Sequence, residues 1–296
     1  MVCGMQEAKR LVIARMFSLY LSAPYSFSTN ARPLAGPGLA VLETRDLTIR
    51  FGGHVAVDHV SCAFAPGTLT AIVGPNGAGK TTYFNLISGQ LPASEGQVLL
   101  NGEYITRLPA PLRTHRGLGR AFQLTQLFPN LTVQENVRLA VQARESGRRG
   151  GGGLDLFSVW LDRKAWIDEA RQILHSVRLE DKRDAHAAGL PHGDQRKLEV
   201  ALLMALDPKV FMFDEPTAGM SVDEVPVILD LIRALKSRKD RLILLVEHKM
   251  DVVSELADRI IVLHNGQLVA DGEPAAVIAS PVVQQAYLGI VPEEAV

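Results

Sequence analysis

The chain has 296 residues, 47% hydrophobic and 21% charged, a composition that fits a folded soluble protein and excludes a collagen, a coiled coil or wholesale disorder. With 31 Lys and Arg against 32 Asp and Glu the formal charge is −1, so no global field draws the molecule onto nucleic acid, and the length suits two average domains or one large α/β unit. Only Cys3 and Cys62 occur, far apart and outside any C-x-x-C spacing, which argues against a zinc site or a disulfide framework, and no uninterrupted apolar run approaches the roughly 18 residues of a membrane helix. Residues 1–40 differ from the rest. Lys9 and Arg10 precede Leu11 to Ala23, a mildly apolar stretch like a signal-peptide core, but Arg15 interrupts it and no small-x-small cleavage site follows. A disordered extension or a start codon placed too early, with Met5 and Met16 as alternative starts, is the expectation; folded structure is expected from about Val41.

From Leu69 the sequence LTAIVGPNGAGKTTYFNLISG predicts an apolar strand, a glycine-rich turn and a helix ending near Gly89. Gly74, Gly79, Lys80 and Thr81 fit G-x-x-x-x-G-K-[ST], with the strand and helix that this pattern requires on either side. Glycines let backbone N–H groups curl around phosphate oxygens without a Cβ in the way, and the helix turns its positive end toward the same charge. Lys80 is placed to reach the β and γ phosphates, and Thr81 to offer a hydroxyl to Mg²⁺.

Thr132–Arg144 and Asp162–Val177 read as helices, the second burying Trp166, Ala170, Ile173, Leu174 and Val177 on one side. Between them ESGRRGGGG is too polar and glycine-rich to pack, so a mobile loop is expected; Arg148 and Arg149 there are expected in solvent, with lipid phosphate as the rival partner. A further helix follows LPHGD, with Leu198, Ala201, Leu202 and Ala205 as its apolar stripe. Val210 to Phe213 is an unbroken apolar run, as for a parallel strand buried on both faces, and ends in Asp214 and Glu215. Carboxylates at the carboxyl end of a central strand lie where open α/β sheets bind ligands. Asp214 suits the Mg²⁺ shell and Glu215 the attacking water, a pairing for hydrolysis rather than transfer. Ser221 and Glu224 form a capping-box pattern before Val225, Ile228, Leu231 and Ile232. His248 follows the apolar strand LILLVEH, and Asn265-Gly266 marks a tight hairpin.

From about Val41 to the C-terminus these stations, in this order, resemble the ATP-binding subunit of an ABC transporter. The resemblance implies a P-loop (RecA-like) α/β core with a parallel central sheet, an antiparallel β subdomain and an inserted helical subdomain at about 124–205. It implies ATP and Mg²⁺ as ligands, with Gly74, Asn76, Gly77, Gly79, Lys80, Thr81 and Thr82 around the phosphates and Thr81, Gln123 and Asp214 toward the metal. Phe51, in LTIRFGG, is similar to the aromatic that stacks on adenine. Gln123, in GRAFQ, is similar to the glutamine that joins the nucleotide core to the helical subdomain, beside the permease contact. His248 resembles the switch histidine that contacts the γ-phosphate, so Glu215, His248 and Gln123 become the catalytic candidates. PTAGMS looks like the D-loop, and LPHGDQ resembles the signature LSGGQ with Gly193 in register.

Within the family, RFGG, LFPNLTVQENV, the glycine-rich insertion and the closing SPVVQQAYLG resemble the branched-chain amino acid importer ATPases, although importers of urea, amides or other small carboxylates carry similar tails. The implied partners are a second homologous ATPase, two integral membrane permeases and an extracytoplasmic solute-binding protein, with no nucleic acid, at the cytoplasmic face of the inner membrane. A soluble ABC ATPase of DNA repair or translation is the rival, but neither a repeated P-loop nor heptads occur. A non-catalytic nucleotide-binding regulator is the other, and it draws only on the departures in the signature. There Pro191 and His192 stand for Ser and Gly, and Asp194 for Gln. A proline has no hydroxyl or N–H to give a γ-phosphate, and a carboxylate at a helix N-terminus competes with the anion. The expectation is one weakened composite ATP site in a heterodimer, each nucleotide being held by one chain's P-loop and the other's signature.

Overall fold

The structure is a computed structural model and describes residues 41–121, 127–148, 164–281 and 283–284. Residues 1–40, Gln123, Arg149 and most of the closing SPVVQQAYLG therefore lie outside the described residues. Its strands are β1 (Leu42–Phe51), β2 (His54–Phe64), β3 (Leu69–Val73), β4 (Glu95–Leu100), β5 (Glu103–Tyr104), β6 (Leu118–Ala121), β7 (Val210–Asp214), β8 (Leu242–Val246), β9 (Arg259–His264) and β10 (Gln267–Gly272). Its helices are α1 (Lys80–Ser88), α2 (Ala110–His115), α3 (Val133–Arg148), α4 (Lys164–Ser176), α5 (His192–Leu206), α6 (Val225–Lys236), α7 (Met250–Leu256) and α8 (Pro274–Ile278).

Among the described residues two sheets form the scaffold. One has four strands in the order β2-β1-β4-β5, its pairings antiparallel; the other has six in the order β10-β9-β3-β8-β7-β6. In the larger sheet β9, β3, β8, β7 and β6 run parallel and only β10 is reversed, joined to β9 by the Asn265-Gly266 turn with both residues at positive φ. Every residue of β3, β7 and β8 is buried, because both faces of the parallel sheet are covered. Phe211, Phe213, Ile243 and Leu245 pack with α3, α4, α5 and α6, while Val210, Met212, Leu242, Leu244 and Val246 pack on the opposite side with α1 and the antiparallel sheet. The period-two alternation of strand side chains divides each continuous apolar run between these two cores.

The predicted stripes bury as expected in kind: Trp166, Ala170, Leu174 and Val177 in and after α4, Leu198, Ala201, Leu202 and Ala205 in α5, Ile228, Leu231 and Ile232 in α6. Ile173 and Val225 are only partly buried. Two expectations need correction. The segment ESGRRGGGG does not begin as a loop: α3 continues through Glu145, Ser146, Gly147 and Arg148. Arg144 holds that end by donating to both oxygens of Glu169 at 2.8 Å and to the Ala205 carbonyl at 3.1 Å, tertiary partners that outweigh the poor helix propensity of Ser and Gly. The start of α3 instead has the reciprocal capping box, in which Thr132 N–H donates to Glu135 Oε2 (2.9 Å) and Glu135 N–H to Thr132 Oγ1 (3.1 Å). The Ser221–Glu224 box is half made. Ser221 N–H and Oγ–H both donate to Glu224 Oε2, at 3.3 and 3.0 Å, but α6 begins only after Glu224, whose own N–H bonds the Ser221 carbonyl.

Candidate nucleotide-binding site

Register lines up three strand ends. Ile72 of β3 is level with Val246 of β8, and Val246 with Asp214 of β7. The residues that leave these strands, Gly74, Glu215 and Glu247, thus emerge at one edge of the sheet, spread over two strand spacings, or about 10 Å. It is the carboxyl edge, where open α/β sheets take ligands.

At the first of these ends the chain needs glycine. Gly74, Gly77 and Gly79 have φ of 151°, 81° and 96°. A Cβ on Gly74 would stand 2.2 Å from the Leu263 carbonyl oxygen, and one on Gly79 would stand 2.5 Å from that of Ala56. Gly77 is different, since its Cβ would meet nothing within 4 Å. Backbone rather than side chain therefore lines the turn, which runs straight into the N-terminus of α1. The leading N–H groups of a helix have no partner within it, and the macrodipole makes that end positive. Lys80 at this end is buried, and its Nζ donates to the Gly74 carbonyl at 2.6 Å and the Pro75 carbonyl at 2.9 Å. Burial pushes the Lys80 ammonium pKa down, while Glu215 and Asp214 nearby partly counter it. The far end of α1 is closed by Gly89 at φ 80° and by the buried guanidinium of Arg113, whose Nη1 donates to the carbonyls of Leu86 (2.7 Å) and Ile87 (2.6 Å). That burial drives the Arg113 pKa down to about 10. Tyr83 and Thr44 share a hydrogen bond of 2.8 Å that ties α1 to the antiparallel sheet.

At the second end stand the carboxylates. Asp214 Oδ2 accepts from Arg120 Nη2 at 2.6 Å, with only 6% of the Asp214 side chain and 3% of that of Arg120 exposed. Arg120 projects from β6, the neighbouring strand; its Nη1 also donates to Asn85 Oδ1 (2.7 Å) and Ser88 Oγ (3.0 Å) of α1, and its guanidinium lies 5.4 Å from the Phe84 ring centroid. Burial lowers the Arg120 pKa and Asp214 opposes that shift. Glu215, half exposed, has a φ of 49°, a left-handed conformation unusual for this residue type, held by its N–H bond to the Val246 carbonyl at 2.9 Å.

At the third end Glu247 is fully buried. Its Oε2 accepts from the N–H groups of His248 (2.8 Å) and Lys249 (3.2 Å), and its Oε1 from Thr217 Oγ1 (2.7 Å). One carboxylate thereby fixes both the loop carrying His248 and the loop after β7. His248 Nδ1 comes to 4.0 Å from Glu215 Oε1. Phe51 ends β1 with half its surface exposed, as a stacking platform needs.

Of the residues singled out from the sequence, the structure gathers Gly74, Asn76, Gly77, Gly79, Lys80, Thr81, Thr82, Asp214, Glu215 and His248 along this edge. Gln123 follows β6 but lies outside the described residues. Pro191, His192, Gly193 and Asp194 are apart, at the start of α5, where their neighbours are Glu224, Gly219, Lys182 and Lys197. The sequence reading missed Arg120 and Glu247. A lone arginine inside the apolar strand LGRA and a glutamate directly before His248 were the available signals.

Such a turn, feeding a helix N-terminus beside carboxylates at the next strand ends, defines a P-loop nucleotide hydrolase. The model of the ABC transporter family matches residues 57–218, and the chain belongs to that family. It is 35% identical over 249 residues to the high-affinity branched-chain amino acid transport ATP-binding protein LivG of Escherichia coli (strain K12), covering 84% of this chain and 98% of that one. With the corresponding protein BraF of Pseudomonas aeruginosa it shares 36% identity over 251 residues, covering 84% and 98%. A solved ATP-binding cassette of an ABC transporter, in its ADP conformation, superposes with a TM-score of 0.69 at 30% identity, over 84% of this chain and 99% of that one. The chain is accordingly an ABC ATPase of a transporter, and among the described residues no helix is long and apolar enough to cross a membrane.

Proposed function

We propose that this chain is the ATP-hydrolysing subunit of an importer of branched-chain amino acids, seated at the cytoplasmic face of the membrane. The observation that carries the ATPase chemistry is the single sheet edge that holds the Gly74–Lys80 turn, Asp214 with Glu215, and His248. The choice of solute is supported by relatives named for branched-chain amino acid transport at 35–36% identity along most of this chain. Urea, amides or other small carboxylates are the alternative cargoes, and they share the same machine.

In this reading the turn and the α1 N-terminus bind the phosphates of ATP, Thr82 adds a first-turn hydroxyl, and Phe51 stacks on the base. Lys80 exchanges its two loop carbonyls for β and γ phosphate oxygens. Glu215 orients a water for in-line attack on the γ-phosphorus and takes its proton on the carboxylate, while the bond from phosphorus to the β–γ bridging oxygen breaks. His248, fixed by Glu247, aligns Glu215 and the γ-phosphate. The exposed Thr81 hydroxyl and the Asp214 carboxylate are hard oxygen donors that fit Mg²⁺, which would supply charge neutralisation of the phosphates; Gln123 is the third candidate donor. Among the described residues no group of three or more His, Cys, Asp or Glu could hold a metal unaided.

The signature at Pro191 to Asp194 completes the nucleotide site of a second, homologous ATPase, and the helical subdomain put at about 124–205, of which 127–148 and 164–205 are described, meets two permeases fed by a solute-binding protein. Reconstitution with those partners in proteoliposomes tests the reading: labelled leucine should accumulate only with ATP and not with the Glu215→Gln variant. Uptake of urea or amides in preference to leucine would reassign the cargo.

A further inference from the structure

The carboxylate that stands in the signature is buried and turned toward two lysines of its own chain. Asp194 is 4% exposed, and its Oδ1 accepts from Lys197 Nζ at 3.0 Å while its Oδ2 pairs with Lys182. Burial alone would push its pKa up, but the hydrogen bonds and charges of the two lysines outweigh that and hold it below the ordinary carboxylate range. Lys197 reaches on to Glu224 Oε1 at 2.9 Å, and Glu224 Oε2 accepts from Ser221. Two ammoniums and two carboxylates thus cancel. The same glutamate covers the signature glycine, since a Cβ on Gly193 would stand 2.3 and 2.5 Å from its two oxygens. His192 in turn touches the loop after β7, with its Cε1 3.3 Å from where a Cβ on Gly219 would be.

We infer that Asp194, Lys182, Lys197 and Glu224 form a charge-balanced clasp that sets the signature turn against the loop following β7, so that this chain offers the nucleotide of its partner ATPase a turn whose carboxylates are already neutralised. The inference rests on the two-ATPase reading above. It removes one of the two grounds for a weakened composite site: the charge of Asp194 is compensated inside the fold, and the missing hydroxyl and N–H of Pro191 remain. Lys182, Lys197 and Glu224 are positioning residues, acting on nucleotide only through the placement and charge of the turn. Removing either lysine would leave the cluster with one carboxylate more than its ammoniums can balance.

The test uses the full complex, with partner ATPase and permeases, and reads steady-state ATPase against MgATP together with thermal unfolding. Lys197→Met should raise KM by about tenfold, an effect of about 1.4 kcal/mol, with a smaller change in kcat. Lys197→Arg should stay within about twofold of wild type, and adding Glu224→Gln to Lys197→Met should restore most of the lost affinity by removing the carboxylate left unpaired, since Asp194 keeps Lys182. Lys182→Met, at a side chain 41% exposed, should shift KM the same way with little risk to folding. A double variant no better than Lys197→Met, or a lowered unfolding temperature with KM unmoved, would overturn the clasp. A wild-type complex that failed to bind MgATP at all would instead overturn the ATPase reading, and the clasp with it.

Discussion

Arg120 and Asp214 pair at 2.6 Å across neighbouring parallel strands, in a place almost sealed from water. Arg120 joins three elements: its own strand β6, the carboxylate at the end of β7, and the Asn85 and Ser88 side chains of α1. Breaking a buried pair by deleting one partner strands the other charge and costs about 3–5 kcal/mol. Arg120→Met should lower unfolding free energy by about that much in denaturant titration and depress ATPase by about 100-fold or more as Asp214 loses its orientation. Arg120→Lys keeps the charge but loses the fork, so it should fall between.

The glycines of the turn should separate folding from binding. Gly74→Ala drives a Cβ to 2.2 Å from a backbone oxygen, so it should destabilise the protein whether or not nucleotide is present. Gly77→Ala meets nothing within 4 Å and carries only the strain of its positive φ, about 1 kcal/mol. Its unfolding curve should stay near wild type, while its affinity for ATP in equilibrium binding falls by about tenfold or more as the new methyl crowds the phosphates.

Glu247 is predicted to matter for turnover and not for affinity. Glutamine in its place has one acceptor oxygen and no charge, so keeping the His248 and Lys249 amides forces the Thr217 hydroxyl to turn from donor to acceptor and weakens all three bonds. Glu247→Gln should reduce kcat by about tenfold with KM for MgATP little changed; an equal loss in both would indicate general damage to the fold.

Acid should loosen the clasp. The pKa of Glu224 is lowered chiefly by its hydrogen bond from Lys197, and that of Asp194 is lowered by Lys182 and Lys197 against the opposing effect of burial. The folded state therefore binds fewer protons than the unfolded state as pH drops through the ordinary values of 4.5 for Glu and 3.8 for Asp, and this part of the stability is lost below them. Unfolding free energy measured from pH 6 to pH 3 should fall less steeply in Asp194→Asn/Glu224→Gln than in wild type.

Pro191 flanks α5 as its N-cap and makes no side-chain capping bond. Pro191→Ser should stabilise the helix by about 1 kcal/mol through a new cap and, in the assembled complex, lower KM for MgATP several-fold by restoring the hydroxyl. An unchanged KM would make the proline neutral variation.

The sequence disclosed whatever depends on neighbours along the chain. The strand-turn-helix of Leu69 to Gly89, the apolar run ending at Asp214, and the Asn265-Gly266 hairpin all follow from local rules of glycine geometry, period-two burial and helix ends, and the parallel sheet follows from their alternation. What stayed hidden depends on distant partners. Arg120 meets Asp214 94 residues away, Thr217 meets Glu247 at a separation of 30, and Lys197 meets Glu224 at 27. Read alone, Asp194 is a misplaced negative charge; only folding brings the two lysines that cancel it. The overrun of α3 past Arg144 has the same cause, since Glu169 and Ala205 hold that end from other helices.

In the proposed reaction, water guided by Glu215 cleaves ATP bound at the Gly74–Thr81 turn. Its most direct test is paired measurement of MgATP binding and phosphate release by the assembled complex, wild type against Glu215→Gln. The account predicts that the variant binds MgATP at least as tightly as wild type and holds the two ATPases closed, with phosphate release down by about 100-fold or more. Wild-type turnover in Glu215→Gln, or no MgATP binding by either protein, would contradict it.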